Sequence, residues 1–198
     1  MTGNPTATRL YLFRHGQTKW ALTGQHTGLS DIPLTDVGRE QAKALGKAIS
    51  HIPFAKVLVS PLSRARETAA LAGLSSAAVC DDLVEFNYGQ YEGLTSKQIG
   101  ELVPGWTIWT HPCPQGETLE QARRRAQGVI DTACSIGGNV ALFAHGHILR
   151  ILTAAWLNLP TTDGKHFILD TCTVSLLSYE HENPAVQIWN NPTDFTEV

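Results

Sequence analysis

Several features that would assign the chain to a specialised class are missing from the sequence. No apolar run approaches the length of a membrane span, which predicts a soluble protein with no membrane partner. No segment repeats at a fixed period, and none is of low complexity. An excess of positive charge is also lacking, since the formal net charge is −3. This balance argues against a general nucleic-acid or polyanion binder, so any anion site must be local.

Cysteine is sparse and scattered. The four cysteines, Cys80, Cys113, Cys134 and Cys172, include no CxxC pair, and the N-terminus shows no secretory signal. We therefore expect reduced thiols and a cytoplasmic location.

What is present is the composition of an ordinary globular domain. Hydrophobic residues make up 42% and charged residues 17% of the 198 positions. A chain of this length can bury an ample core without disulfides or metals, and no linker divides it. We predict one domain over residues 1–198, with the small and polar residues 1–8 as a loose N-terminal arm.

Residues 10–20 join a buried strand to a cluster of polar side chains. Residues 10–13 are a short apolar and aromatic run, typical of a strand. Arg14 and His15 follow where that strand should end, and Gly16 allows a tight turn or a close approach to a ligand. Because open α/β sheets bind ligands outside the carboxyl ends of their strands, we expect Arg14 and His15 in such a crevice.

Residues 140–157 have the same arrangement. A buried-strand run over residues 140–144 is followed by His145, Gly146 and His147, and then by an apolar, helix-favouring segment. Two such histidines and one arginine can converge on a phosphoryl group. Neutral imidazole can attack phosphorus, guanidinium matches its oxygens, and a helix N-terminus adds N–H donors. His145 and His147 could instead bind a metal, but no third ligand lies at suitable spacing, so we expect none.

The remaining segments alternate between helix and strand patterns. Helices are predicted over residues 35–51, from Ser60 and Pro61 onward, and over residues 119–136 after a capping box. Strands are predicted at residues 56–60 and 77–80, and in a closing hairpin of residues 166–179 and 186–190. Residues 20–33 and 100–116 are predicted to be long loops, the first of them functional. Alternating strands and helices predict an α/β protein with a largely parallel sheet.

Charged residues outside the two histidine segments supply further candidates. Arg64 and Arg66 are two apart on a predicted helix, so they cannot both face one pocket, and one should be solvated. Glu85 and Glu92 are rival acids in an aromatic, acidic segment without a clear period. The arginine run at residues 123–125 favours a solvated helix face.

Five segments, in this order, resemble the histidine phosphatase superfamily, the phosphoglycerate mutase-like proteins. They are residues 14–16, 60–68, 85–93, 116–118 and 144–146. The resemblance runs from Leu10 to about Asn190. Residues 20–28, 106–118, 145–150 and 167–181 look most like sedoheptulose-bisphosphatase-type sugar phosphatases and related bacterial phosphatases. The resemblance implies a three-layer α/β/α sandwich around a mostly parallel sheet.

The resemblance also implies roles for matching residues. His15 would be the nucleophile that forms a phosphohistidine, and Glu85 would be the general acid and then the base. Glu85 must then start protonated, which the apolar parts of Phe86 and Tyr88 would favour. The phosphoryl oxygens would be held by Arg14, Arg64 and His145. The substrate would contact Thr18, Thr27, Gly28, Tyr88, Gly146 and His147.

Details of the substrate pocket stay open at this level. Thr27 and Gly28 can equally form only a turn. Trp106 and Trp109 can wall the mouth of the pocket or share one face of a short core helix. Ala21 stands where many relatives carry an asparagine, which removes a contact to phosphate or substrate.

The sequence thus predicts a phosphomonoesterase that needs no metal or cofactor and acts on a small phosphorylated metabolite, a sugar phosphate. One alternative is a cofactor-dependent phosphoglycerate mutase, although the longer basic insertion of mutases is absent. Others are a protein phosphatase and a non-catalytic phospho-ligand-binding protein on the same scaffold. All the catalytic residues are present, which disfavours the last. The oligomeric state is not encoded in any readable pattern.

Overall fold

Six strands form the centre of the molecule in the computed structural model, which describes residues 8–193. Their order across the sheet is β3-β2-β4-β1-β5-β6. The first four strands in the chain run parallel to one another. Strand β5 is antiparallel to β1, and β6 is antiparallel to β5. The strands are β1 (Arg9–Arg14), β2 (Lys56–Val59), β3 (Ala78–Val79), β4 (Asn139–Ala144), β5 (Val174–Glu180) and β6 (Asn183–Asn191).

Helices connect and cover these strands. They are α1 (Lys19–Thr23), α2 (Asp36–Ile49), α3 (Ser63–Leu71), α4 (Ser96–Leu102), α5 (Leu119–Ile136) and α6 (Gly146–Trp156). Short 3₁₀ turns lie at Asp81–Leu83, Gly89–Tyr91 and Thr161–His166. Within the described part of the chain, every helix is too short or too polar to span a bilayer.

Alternating side chains of the strands build two cores, one on each face of the sheet. Leu10 and Leu12 of β1 join the core that contains residues of α5 and α6, such as Val129 and Leu152. The intervening strand residues join residues of α2 and α3 on the opposite face. Each buried leucine or phenylalanine contributes about 1.5–3 kcal/mol. The predicted three-layer α/β/α sandwich is confirmed.

Helix α5 shows how local sequence fixes an element. The Thr118 side chain accepts from the backbone N–H of Gln121, whose side chain accepts from the N–H of Thr118. This capping box satisfies two amides that the first helical turn leaves unpaired. The helix spans the predicted residues 119–136.

Several boundaries differ from the prediction. Helix α3 begins at Ser63, whose N–H donates to Asp31, and Leu62 holds the cap position without a side-chain bond. The Ser60 side chain accepts from the Leu62 N–H at 3.4 Å and also bonds a distant histidine. Helix α1 overlaps the start of the predicted loop of residues 20–33, and α4 extends into the predicted loop of residues 100–116. Strand β5 begins only at Val174. Of the predicted N-terminal arm, residues 1–7 lie outside the described residues.

The sheet order places β1 next to β4 and β4 next to β2. These strands are parallel, so their carboxyl ends meet at one edge of the sheet. Arg14, Ser60 and His145 lie at this edge. The sheet thereby brings together residues more than a hundred positions apart.

Candidate active site

The two histidine segments meet at the carboxyl edge of the sheet. The backbone N–H of His15 donates to the carbonyl oxygen of Ala144 at 3.0 Å, which extends the β1–β4 pairing by one residue. The ring centroids of His15 and His145 are 5.2 Å apart. The predicted convergence of the two histidines is therefore present in the structure.

His15 has one ring nitrogen bound to protein, and the other has no hydrogen-bond partner among residues 8–193. Its Nδ1 lies 2.7 Å from the carbonyl oxygen of Gly16, which can only accept, so Nδ1 carries the hydrogen. Nε2 is therefore the unprotonated nitrogen of the neutral ring. Burial, followed by the charges of Arg14 and Arg64, holds the pKa of His15 well below 6.5. The ring is neutral at pH 7 and has the protonation state of a nucleophile.

The turn after His15 is fixed from both sides. The Gly16 N–H donates to Oγ1 of Thr68 on α3 at 3.0 Å. On the other side, a Cβ on Gly16 would lie closer than 3.0 Å to the carbonyl oxygen of Gly38 at the start of α2. Only glycine allows this close approach of the two backbones. The carbonyl that orients His15 is thus itself held in place.

His145 has both ring nitrogens bound to protein. Its Nδ1 accepts from Nε of Arg64 at 3.1 Å, and its Nε2 lies 2.7 Å from Oγ of Ser60. Because guanidinium only donates, Nδ1 is unprotonated and Nε2 carries the hydrogen. Burial, then Arg64 and His15, holds the pKa of His145 well below 6.5. In this structure His145 braces Arg64 and Ser60.

Arg64 is fully buried and ties a loop to the site. Its guanidinium donates to the carbonyl oxygens of Thr27, Gly28 and Ser30 at 2.8–3.2 Å, as well as to His145. Arg66 is exposed, as expected for the second of two arginines two positions apart. Arg64 thus holds residues 27–30 against the two histidines.

Arg14 carries an unsatisfied donor into the same region. Nη1 donates to the carbonyl oxygen of Leu169 at 2.6 Å, whereas the buried Nε has no hydrogen-bond partner. Burial lowers the pKa of Arg14 from 12.5, but the group stays a cation at neutral pH. A buried, unpaired guanidinium N–H next to His15 is suited to an oxyanion.

Glu85 caps helix α6. Oε1 accepts from the amides of Phe86 and Ile148, and Oε2 accepts from the amide of His147, all at 2.8–3.0 Å. These bonds fix the carboxyl group at the positive end of the helix. Oε2, with a single amide partner, has the greater remaining capacity for a proton or a substrate oxygen.

A cleft of about 180 Å³ lies in front of His15. Its wall contains the predicted residues Arg14, His15, Thr27, Glu85, Tyr88, Gly146 and His147. Thr18 and Gly28, also predicted to contact substrate, contact protein instead. Thr18 Oγ1 caps α1 by accepting from Ala21 N, and the Gly28 N–H donates to Glu92. Arg64 and His145 lie behind the cleft wall.

The cleft offers an anion several hydrogen-bond donors and little negative charge that would repel it. Arg14 and Arg150 contribute positive charge, and the one acidic side chain in the wall is Glu85. The Gly146 N–H, at the first position of α6, has no partner among the described residues. No group of three His, Cys, Asp or Glu side chains in the described residues could hold a metal ion.

Comparison with known proteins agrees with this geometry. Residues 10–192 match the family model of the histidine phosphatase superfamily (branch 1). This chain belongs to the histidine phosphatase superfamily.

Relatives of this histidine phosphatase include several named enzymes. An acid phosphatase of Mycobacterium tuberculosis is 39% identical over 177 residues, 87% of each chain. A sedoheptulose 1,7-bisphosphatase of Saccharomyces cerevisiae is 29% identical over 91% of this chain and 92% of the relative. A 2,3-bisphosphoglycerate-dependent phosphoglycerate mutase of Gloeobacter violaceus is 32% identical over 87% and 85%.

The fold of this histidine phosphatase is also found in solved structures. The product of a Mycobacterium tuberculosis open reading frame superposes with a TM-score of 0.90 at 36% sequence identity. The match covers 94% of this chain and 98% of that chain. The protein is therefore an enzyme of the histidine phosphatase type.

Among the residues of the phosphatase cleft that were not predicted from the sequence, two have ionisable side chains. His26 lies in the wall, and burial lowers its pKa to about 4. Arg150 lies in the wall one helical turn after Gly146. A signal for Arg150 existed, because residues three and four apart on a helix share a face. For His26 the sequence offered only its place in the loop after His15.

Trp106 and Trp109, the two tryptophans considered for the mouth of the pocket, pack behind the cleft. Both are buried and neither lies in the cleft wall. Trp106 contacts His26 at 5.2 Å between ring centroids, and Trp109 contacts His147 at 5.4 Å. They therefore belong to the core but support residues that line the cleft. Ala21, at the position of the usual asparagine, does line it.

The remaining charged candidates are structural. Glu92 accepts from the amides of Gly28 and Ser30 and does not line the cleft, which leaves Glu85 as the acid there. The expectation of a solvated arginine run is wrong for Arg125, which forms a two-pronged pair with Glu117 at 2.7–2.8 Å. Arg123, in the same run, donates to the carbonyl oxygen of Leu159.

Proposed function

We propose that this histidine phosphatase is a phosphomonoesterase that hydrolyses a small phosphorylated metabolite, a sugar phosphate, through a phosphohistidine at His15. One observation carries the proposal. His15 is neutral, its Nδ1–H is bound to Gly16, and its free Nε2 adjoins a cleft that Arg14 also lines. Nucleophile and anion-binding group are thus held together before a substrate arrives.

In the first step, Nε2 of His15 attacks phosphorus, and the bond between phosphorus and the ester oxygen breaks. Glu85 transfers a proton from Oε2 to the leaving oxygen, so an alcohol departs. The unpaired Nε–H of Arg14 and the Gly146 N–H stabilise the negative charge on the phosphoryl oxygens. The enzyme is left with a phosphohistidine and an ionised Glu85.

In the second step, a water molecule attacks the phosphohistidine. Glu85 accepts its proton, the phosphorus–nitrogen bond breaks, and inorganic phosphate leaves. Both residues then return to their starting protonation states. Arg64 and His145 act mainly by holding the loop of residues 27–30 and the back of the site, through the bonds described above.

The substrate class is supported by the size of the cleft and by the relatives. A volume of about 180 Å³ suits a phosphoryl group with a small organic part. Two relatives are named as an acid phosphatase and a sedoheptulose 1,7-bisphosphatase. The cysteines form no disulfide, which fits the reducing cytoplasm in which we place this activity.

A phosphoglycerate mutase is the second candidate, because one relative carries that name. A mutase must return the phosphoryl group to its product and keep water away from the phosphohistidine. The two activities differ in one product, since only the phosphatase releases inorganic phosphate at every turnover.

The test is phosphate release from sugar monophosphates and bisphosphates, phosphoglycerates, an aryl phosphate and phosphopeptides, with EDTA present. We expect release from sugar phosphates, unchanged by EDTA, and an acid-labile phosphoenzyme that His15→Ala cannot form. Interconversion of phosphoglycerates without phosphate release would replace the proposal with the mutase. Release that requires an added metal, or that persists in His15→Ala, would overturn the mechanism.

A further inference from the structure

We propose that Asn190 is a positioning residue, which fixes the guanidinium of Arg14 at the cleft by holding the loop of residues 169–173. This inference rests on the phosphatase function proposed above, in which Arg14 stabilises the phosphoryl oxygens. Asn190 itself does not line the cleft. It lies on β6, the edge strand of the sheet, and acts through a chain of hydrogen bonds that ends at Arg14.

The side chain of Arg14 has one hydrogen-bond partner among residues 8–193. Its Nη1 donates to the carbonyl oxygen of Leu169 at 2.6 Å, and Leu169 is buried in the cleft wall. The backbone of Arg14 is tied to the same loop, because its carbonyl oxygen accepts from the Cys172 N–H at 3.0 Å. The direction of the unpaired Nε–H of Arg14 therefore depends on where the loop holds Leu169.

Asn190 holds the residue that follows Leu169. Its Oδ1 accepts from the Asp170 N–H at 2.7 Å and from the Thr173 hydroxyl at 3.0 Å. Its Nδ2 donates to Oδ2 of Asp170 at 2.8 Å. One amide side chain thus uses both its acceptor and its donor on the loop, and these three bonds fix the loop on either side of its middle.

A β-bulge directs Asn190 to the loop. The register of β5 against β6 shifts between Val174 and Leu176, so that Trp189 and Asn190 together oppose Ser175. Asn190 has a φ of +53°, in the left-handed region that asparagine adopts more readily than most residues. Its N–H donates to Oγ of Ser175 at 2.9 Å. Bulges next to active sites commonly re-aim a side chain, and this one aims an amide at the loop.

The middle of the loop is fixed separately. Oε1 of Gln41, on α2, accepts from the Thr171 hydroxyl at 3.1 Å and from the N–H of Gln17 at 2.9 Å. This attachment does not involve Asn190. Loss of the Asn190 bonds should therefore free the start of the loop, where Leu169 lies, more than its middle.

The experiment uses Asn190→Gly, because glycine adopts the positive φ and the substitution removes only the side-chain bonds. We expect kcat/KM to fall by about 10- to 100-fold, with KM raised as well as kcat lowered, because Arg14 meets both substrate and transition state in a displaced position. A smaller fraction of folded enzyme would lower kcat alone. Asn158→Gly, at an exposed asparagine that also has a positive φ, is the matched control and should leave both constants unchanged.

An Arg14→Gln background tests whether Asn190 acts through Arg14. There Asn190→Gly should change kcat/KM by less than about 2-fold, because no guanidinium is left to position. An equal effect of Asn190→Gly with and without Arg14 would overturn the positioning role and show that Asn190 only stabilises the fold.

A pair of substitutions that reverses one bond tests the same network with Arg14 intact. Asn190→Asp should lower kcat/KM about as much as Asn190→Gly, because its carboxylate would face that of Asp170 where a bond of 2.8 Å now lies. Adding Asp170→Asn restores a donor between the two side chains and should return kcat/KM to within about 3-fold of wild type. An equal loss in the single and the double variant would contradict the proposal.

Calorimetric titration with inorganic phosphate separates this inference from the phosphatase function. Asn190→Gly should bind phosphate about 10-fold more weakly than wild type, with no such difference in the Arg14→Gln background. If wild type binds phosphate in this way but turns over none of the substrates, the phosphatase function fails and the positioning role stands. If wild type is an active phosphatase and Asn190→Gly matches it in phosphate affinity and turnover, the positioning role alone fails.

Discussion

The two strand-to-histidine junctions look alike in sequence and differ in their partners. At the end of β1, His15 has one nitrogen bound to the adjacent Gly16 and one free. At the end of β4, His145 has both nitrogens bound, to Arg64 and Ser60. Both rings are buried and neutral. The two residues share the strand–histidine–glycine motif, and what distinguishes the proposed nucleophile His15 from the supporting His145 is whether the second ring nitrogen is hydrogen-bonded to protein.

The glycines that follow the two histidines also differ, in how closely other atoms pack against them. Gly16 presses against the backbone of Gly38, whereas a Cβ on Gly146 would meet nothing closer than 3.6 Å, at Nε of Arg14. The first glycine is needed for packing. At the second, an added methyl group would be in ordinary contact with the Arg14 guanidinium and with Oε2 of Glu85, at a position that lines the cleft.

The largest effect should come from exchanging the histidines for alanine. We expect His15→Ala to lower kcat by at least about 10⁴-fold, because no nucleophile remains. His145→Ala should lower it by about 10²-fold, because Arg64 and Ser60 lose the partner that holds them behind the site, and should still form a phosphoenzyme. Rapid-quench labelling with a radioactive substrate measures both. If His145→Ala formed no phosphoenzyme although circular dichroism showed an intact fold, the result would contradict a merely supporting role for His145.

Alanine at the two glycines should have different effects, on stability at Gly16 and on substrate binding at Gly146. Gly16→Ala should destabilise the fold by about 1–3 kcal/mol through overpacking against Gly38. Gly146→Ala should stay within about 1 kcal/mol of wild type, because alanine suits a helix better than glycine. Its methyl group should instead raise KM by narrowing the space beside Arg14. Urea unfolding and steady-state kinetics test the pair, and equal destabilisation by both would contradict the packing difference.

Acid should lower the free energy of unfolding, because the histidines of both junctions have lowered pKa values. Unfolded imidazoles take up protons near pH 6.5, but folded His15 and His145 stay neutral well below it. Below pH 6.5 the unfolded state therefore binds more protons, and the free energy of unfolding falls as the pH falls. Each histidine adds up to about 1.4 kcal/mol per pH unit, and the contribution is fully present above pH 6.5.

Urea unfolding between pH 7.5 and 5 measures this slope. His15→Asn and His145→Asn should each reduce it by about 1.4 kcal/mol per pH unit, whereas the exposed His166→Asn serves as the control and should not. A slope that neither substitution changes would show that these rings are not the groups responsible.

The smallest effects should come from the hydroxyl groups behind each junction. Thr68→Val removes the acceptor of the Gly16 N–H, and Ser60→Ala removes the partner of His145 Nε2. Each should cost about 1 kcal/mol of stability. Thr68→Val should also reduce kcat several-fold, since it supports the turn that orients His15, and Ser60→Ala should reduce it less. The reverse order in kcat would indicate that His145 has the more direct part in catalysis.

Local patterns predicted the elements that are determined locally. The bounds of α5 were predicted correctly because its capping box lies within four residues. The strands that end at Arg14 and Ala144 were recognised because runs buried on both faces are apolar throughout. The convergence of His15 and His145 followed from the general geometry of α/β sheets.

What could not be predicted depends on partners distant in the sequence. The Ser60 side chain was expected only to cap a helix, but besides the Leu62 N–H it bonds His145, 85 positions away. Arg125 was expected in solvent, but Glu117 and the carbonyl oxygens of Asp82 and Val84 surround it. The orientation of Arg150 depends on Trp109, which no periodicity connects to it.

The pairing of β1 with β4 also determines when the enzyme can first become active. Arg14 pairs with Ala144, so about 130 residues must be synthesised after the nucleophile before its strand finds this partner. At 5–20 residues per second, His15 waits roughly 6–26 s after leaving the ribosome's catalytic centre. Until then its backbone lacks the bond to Ala144, and its ring lacks the neighbouring ring of His145. A nascent chain therefore carries no partly working phosphatase, and any fragment that ends before β4 should be inactive.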